Sequence, residues 1–152
     1  MFHQRAVSAL VVLLIVIAAT LVGGWLYFAI LSLVLLGGAV EFTRLAARET
    51  HTVYGVLISL LILLILFDRQ LPDLGLFFPG MALLLLATMF WSLFHFGRDG
   101  ANAFLGYALT VSMGLYLGWL GAYFISLRAM PDGTFIILML IVAVAATDTG
   151  AY

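Results

Sequence analysis

Between residues 6 and 147 the chain is a succession of long apolar stretches that almost no charged residue enters. Polar residues and turn formers divide it into residues 6–22, 25–40, 53–67, 76–94, 103–125 and 134–147. Each stretch is continuous rather than alternating, and a lipid interior offers no partner for open backbone groups, so helices are expected over strands. A helix needs about 20 residues to cross a hydrocarbon core of about 30 Å. The stretches 76–94 and 103–125 meet that length outright. Those at 25–40, 53–67 and 134–147 reach it only if flanks such as 41–45 and 148–152 contribute. A water-soluble alternative is excluded by composition: 66% of the residues are hydrophobic and 9% charged, against about 45–50% and about 25% in soluble domains. The expected fold class is all-α, a polytopic membrane protein of about six transmembrane helices, with residues 1–152 forming one membrane-embedded region.

The breaks between stretches are chemically sensible. Gly23-Gly24 predicts a tight hairpin, and Pro72, Pro79 and Pro131 fall in or beside loops. With the N-terminus in the cytoplasm, Arg5, Arg44, Arg48 and Arg98 lie inside, while Arg69 and Arg128 lie outside. The positive-inside rule favours that orientation. A cleaved leader is disfavoured, because the first run is longer than the about 7–15 residues of a signal core and no small-x-small site follows it. The expected location is therefore the inner (cytoplasmic) membrane, multi-pass, with Asp148 near the cytoplasmic end of the sixth span. The net charge is −1, with no lysine and no basic block, so no nucleic-acid partner is expected. Cysteine is absent, which removes disulfides and thiolate chemistry.

Asp148 is the strongest candidate for chemistry. An acid inside a bilayer costs about 2.5–3.5 kcal/mol at the centre and less toward the interface. It persists where it binds a cation, pairs with a base, lines a wet cavity or rests among headgroups. Thr147 and Thr149 offer hydroxyls beside it, and Gly150 permits close approach of a ligand. Glu41, Arg44 and Arg48 fall on one helical face. Either Glu41 and Arg44 pair at the membrane surface, or Arg44 and Arg48 contact an anionic lipid headgroup. His3, His51 and His95 match no metal-ligand spacing, although His95 sits at a cytoplasmic mouth where it could meet a phosphate.

Gly106, Thr110, Gly114, Gly118 and Ala122 recur every fourth residue, a small-residue ridge that lets another helix approach closely. The partner helix can belong to the same chain or to a second copy in a homodimer; the sequence leaves both open. Trp25, Tyr27, Trp91, Trp119, Tyr123 and Tyr152 lie mostly near span ends, where amphipathic rings anchor at the interface.

At Asp148-Thr149-Gly150-Ala151-Tyr152 the chain resembles the phosphatidate cytidylyltransferase (CDP-diacylglycerol synthase) family, which carries Asp-Ser-Gly-Ala-Tyr at the end of an apolar span. Thr149 keeps the hydroxyl. Arg5 and Ser8 open the first span as in that family, and Glu41, Phe42 and Leu45 match the end of its second. The resemblance implies a multispanning enzyme that joins phosphatidic acid to CTP, giving CDP-diacylglycerol and pyrophosphate. It also implies Mg2+ as cofactor and Asp148 in the metal and nucleotide site, with Thr149 and Gly150 at the substrate. The family's later glycine–arginine, Ser-Pro-Gly-Lys-Thr-like, His-Gly-Gly and Asp-Arg elements do not occur here. A single acid does not assemble phosphoryl-transfer equipment. These residues are therefore expected to be the N-terminal portion of a longer helical bundle, inactive alone. A CTP-dependent polyprenol or phytol kinase, a non-catalytic membrane scaffold and a transporter coupled through Asp148 and Glu41 are the competing readings.

Overall fold

The computed structural model describes the backbone of residues 2–49 and 52–150, together with their side chains except those of 2–11, 98, 99, 101, 148 and 149. Six α-helices follow one another: α1 (Phe2–Val22), α2 (Gly24–Arg48), α3 (Gly55–Gln70), α4 (Phe77–Asp99), α5 (Ala101–Arg128) and α6 (Gly133–Gly150). A 3₁₀ turn at Pro72–Leu74 links α3 to α4. No strand occurs among the described residues. Gly24–Arg48, Phe77–Gly97 and Asn102–Arg128 are long and apolar enough to cross a membrane, and shorter apolar helices lie at Val12–Val22 and Gly133–Thr147. The protein is an all-α membrane protein.

Helix boundaries follow local chemistry. Gly23 and Gly24 adopt φ of 73° and 56°, a left-handed geometry that costs a residue with a Cβ but not glycine. The Gly23 N–H closes α1 by donating to the Ala19 carbonyl at 2.8 Å. α2 then runs past its apolar stretch to Arg48, because the residues from Glu41 to Arg48 include good helix formers. α3 stops at Gln70, immediately before Leu71-Pro72, since the residue ahead of proline avoids the helical region. Pro79 sits in the first turn of α4, where its missing N–H costs nothing.

The chain forms two compact units. The first comprises residues 1–31 and 123–152, and the second residues 32–122. In the first unit α1 packs against α6. The Arg128 Nε donates to the Thr20 carbonyl at 2.9 Å, satisfying one of the carbonyls that the end of α1 leaves open. Tyr27, in the first turn of α2, is buried at 5% exposure, and its hydroxyl donates to the Phe124 carbonyl at 3.4 Å. That internal acceptor satisfies the phenol where protein covers it.

In the second unit α3 is the central element. Ile58, Leu61, Ile62 and Leu66 are wholly buried and Ile65 nearly so. At 16 residues this helix is about 24 Å long, short for a lipid-facing span and suited to a protein-covered one. α5 presents its small residues to it. A methyl group at Gly114 would come within 2.7 Å of the Leu61 side chain, and one at Gly118 within 2.7 Å of Ile65 and 3.3 Å of the Ile62 backbone. At Gly106 a methyl would overlap the Thr52 carbonyl oxygen. Thr110 is fully buried; its hydroxyl donates to the Gly106 carbonyl at 2.7 Å and accepts the Tyr54 N–H at 3.0 Å. Within this unit, the partner of the ridge from Gly106 to Gly118 is thus α3 and its lead-in, in the same chain. α4 packs on α3, with Gly80 over Leu64. The Phe77 N–H donates to Asp68 Oδ1 at 3.0 Å, and the Ser92 hydroxyl donates to the Ala103 carbonyl at 2.6 Å.

Candidate functional site

The residues singled out by sequence fall in two places. Asp148, Thr149 and Gly150 close α6 in the first unit. The side chains of Asp148 and Thr149 lie outside the described residues. Gly150 is exposed, and a methyl there would meet nothing within 4 Å. Every residue from 142 to 147 is exposed as well. The Thr147 hydroxyl turns back and donates to the Ala143 carbonyl at 2.7 Å, which leaves its lone pairs rather than its proton for a partner.

Arg44 and Arg48 lie in the second unit, both exposed near the C-terminal end of α2. Glu41 is exposed too. Arg44 lines a cavity of about 420 Å³ between α2 and α3, together with Val40, Thr43, Gly55, Val56, Ser59 and Leu60. Thr43 and Ser59 direct their hydroxyl protons into their own helices, to the Ala39 and Gly55 carbonyls at 2.8 and 2.9 Å. The cavity wall is consequently almost wholly apolar.

A second cavity, about 350 Å³, opens on the other side of the α3 start and is lined by Tyr54, Gly55, Val56, Leu57, Ala87 and Trp91. His95 belongs to an aromatic group there: its ring lies 5.5 Å from that of Trp91 and 6.0 Å from that of Tyr54. Its Nδ1 is 2.9 Å from the Trp91 carbonyl. A carbonyl only accepts, so Nδ1 carries the proton and Nε2 is the nitrogen available to other groups. His51 lies outside the described residues, as does the side chain of His3. Among the described residues no three His, Cys, Asp or Glu side chains gather in a way that could hold a metal ion.

Sequence reasoning missed Tyr54, Val56 and Trp91 as residues of one locality. Tyr54 and Trp91 are 37 positions apart and meet only because α4 returns antiparallel along α3.

Comparison with known proteins covers nearly the whole chain: residues 3–152 match the model of the cytidylyltransferase family. No curated protein matches. No solved structure matches.

Proposed function

The chain belongs to the cytidylyltransferase family, a CTP-using transferase of the CDP-diacylglycerol synthase type, and from that premise we propose that its reaction joins phosphatidic acid to CTP. A phosphate oxygen of the lipid attacks the α-phosphorus of CTP, the α–β bridging bond breaks, and CDP-diacylglycerol and pyrophosphate form. The observation that carries this reading is the family match over residues 3–152 with Asp148-Thr149-Gly150 at the end of the sixth apolar helix.

Asp148 contributes one acid to the metal and nucleotide site, and Thr149 and Gly150 approach the substrate. Magnesium, when bound, neutralises phosphate charge. Transfer requires further charged groups around the triphosphate beside Asp148. The N-terminus faces the cytoplasm, the side from which soluble CTP arrives. In support, Arg128 holds the end of α1, so α6 starts beside the end of α1 and runs back toward the side where α1 begins. Asp148 then shares the N-terminal side of the membrane.

Reconstituted full-length enzyme carrying Asp148→Asn tests the assignment. Removing a carboxylate from the nucleotide site is expected to lower CDP-diacylglycerol formation by about 10²-fold or more, with the protein still inserted. Turnover equal to wild type would remove Asp148 from the site.

A further inference from the structure

At the end of α3 remote from Gly55 a further cavity, about 160 Å³, is lined by Ile65, Asp68, Arg69, Phe77, Trp119 and Ala122, all within the second unit. Its lining differs in kind from that of the two apolar cavities beside Gly55. Asp68 and Arg69 are the first charged residues of α3, after an uncharged stretch from 55 to 67. Such a change from hydrocarbon to charge marks the level at which a span meets lipid headgroups. Ile65 and Ala122 are buried whereas Arg69 and Trp119 are exposed, so the cavity leads from the protein interior to its surface.

Neither charged residue is committed to the other. The Asp68 carboxylate accepts the Phe77 N–H through Oδ1 at 3.0 Å, which leaves Oδ2 with its lone pairs. Among the described residues neither Asp68 nor Arg69 enters an ion pair. Phe77 and Trp119 stand edge to face, with ring centres 5.7 Å apart, and an aromatic face attracts an ammonium. These groups select a ligand by sign. A lone cation is drawn to Asp68 and the rings but repelled by Arg69. A lone anion is drawn to Arg69 and repelled by Asp68. A molecule that carries both charges a few bonds apart answers both.

The volume is below the about 300–1,000 Å³ of clefts that enclose a whole small molecule. It suits a polar tip whose remainder lies in the bilayer. A carboxylate also favours a cation that donates hydrogen bonds, which a primary ammonium does and a quaternary one does not. We propose that this cavity binds the headgroup of a zwitterionic aminophospholipid of the phosphatidylethanolamine type, with its ammonium at Asp68 and its phosphodiester at Arg69. The phosphate of such a lipid is already esterified twice, so the lipid is a bound ligand and not a reactant.

The test reads binding rather than turnover. Full-length protein in detergent is titrated with dioleoyl phosphatidylethanolamine or dioleoyl phosphatidylcholine, and bound lipid is counted by native mass spectrometry. Wild type should hold the ethanolamine lipid about ten-fold more tightly, the difference made by one charge-assisted hydrogen bond. Asp68→Asn keeps an oxygen for the Phe77 N–H but removes the charge, so the two lipids should then bind equally. Arg69→Gln should weaken both by about five-fold and leave their ratio intact. In the wild type itself, the ethanolamine lipid should slow hydrogen exchange across residues 68–77, and the choline lipid should not. Equal binding of the two lipids by wild type, unchanged exchange across 68–77, or a wild-type preference in folded Asp68→Asn overturns the proposal. Displacement of the lipid by an equal concentration of soluble glycerophosphoethanolamine also overturns it, because the ligand would then be a water-borne headgroup.

Discussion

Substituting Gly106 by alanine adds one methyl group at the point where α5 meets the segment leading into α3. That methyl would overlap the Thr52 carbonyl oxygen. A carbonyl is main chain, so relief requires the backbone to move rather than a rotamer to change. Overpacking of this kind costs about 1–3 kcal/mol. The movement also strains the hydrogen bond from the Tyr54 N–H to the Thr110 hydroxyl, 3.0 Å long, which contributes about 1 kcal/mol. Against these stands the helix-propensity gain of alanine over glycine, again about 1 kcal/mol. The net expectation is destabilisation by about 1–3 kcal/mol, or a fall in Tm of a few to about ten degrees for a chain of this size. Gly37 and Gly97 are the controls. Both are helical, and a methyl at either meets nothing within 4 Å, so Gly37→Ala and Gly97→Ala should be neutral or slightly stabilising. Thermal unfolding of the three purified variants in one detergent, followed by tryptophan fluorescence, makes the comparison. Refutation would be a Gly106→Ala melting curve matching or exceeding the two controls, because the close approach of α5 to Thr52 would then be absent.

The α1–α2 hairpin separates two effects at neighbouring glycines. Gly23→Ala suffers both its φ of 73° and a 2.6 Å approach to the Arg128 guanidinium, whereas Gly24→Ala suffers its φ of 56° alone; circular-dichroism melts should place Gly23→Ala below Gly24→Ala by about 1–2 kcal/mol, and equal losses would dismiss the Arg128 contact. Arg128→Gln should cost about 1.5–3 kcal/mol, since a charged donor leaves the Thr20 carbonyl, and a melt unchanged from wild type would contradict it. Asp68→Ala should cost about 1–2 kcal/mol by leaving the Phe77 N–H at the start of α4 unsatisfied, while Asp68→Asn, which keeps an oxygen acceptor, should recover most of the loss; hydrogen exchange at Phe77 distinguishes the two.

The helices were legible because lipid forces continuous apolar runs to be helical, and each of the six stretches carries one. Their ends were legible where Gly23-Gly24 or Leu71-Pro72 dictates backbone geometry. They were not legible at α2, where polar residues out to Arg48 extend the helix beyond its apolar part, nor at α3. That helix begins at Gly55 rather than 53, with the Tyr54 N–H taken by Thr110 from 56 residues away. The spacing from Gly106 to Ala122 announced a packing ridge without saying onto what, because a small-residue surface fits any helix whose side chains fill it. The structure supplies Leu61, Ile62 and Ile65. The two cavities beside Gly55 had no sequence signature at all. Their walls come from separate helices around Gly55, a property of helix placement. Asp148 stands in the opposite situation: its neighbours in the sequence mark it as a candidate, and its side-chain position lies outside the described residues.

Cytidylyl transfer and phosphate transfer leave different atoms on the lipid, so the fate of labelled CTP is the most direct measurement. Reconstituted full-length enzyme given phosphatidate and CTP labelled at the α-phosphate should deposit label in CDP-diacylglycerol, and CTP labelled at the γ-phosphate should release label as pyrophosphate. Label reaching the lipid from the γ-position and none from the α-position would contradict the account, and would make the protein a lipid kinase.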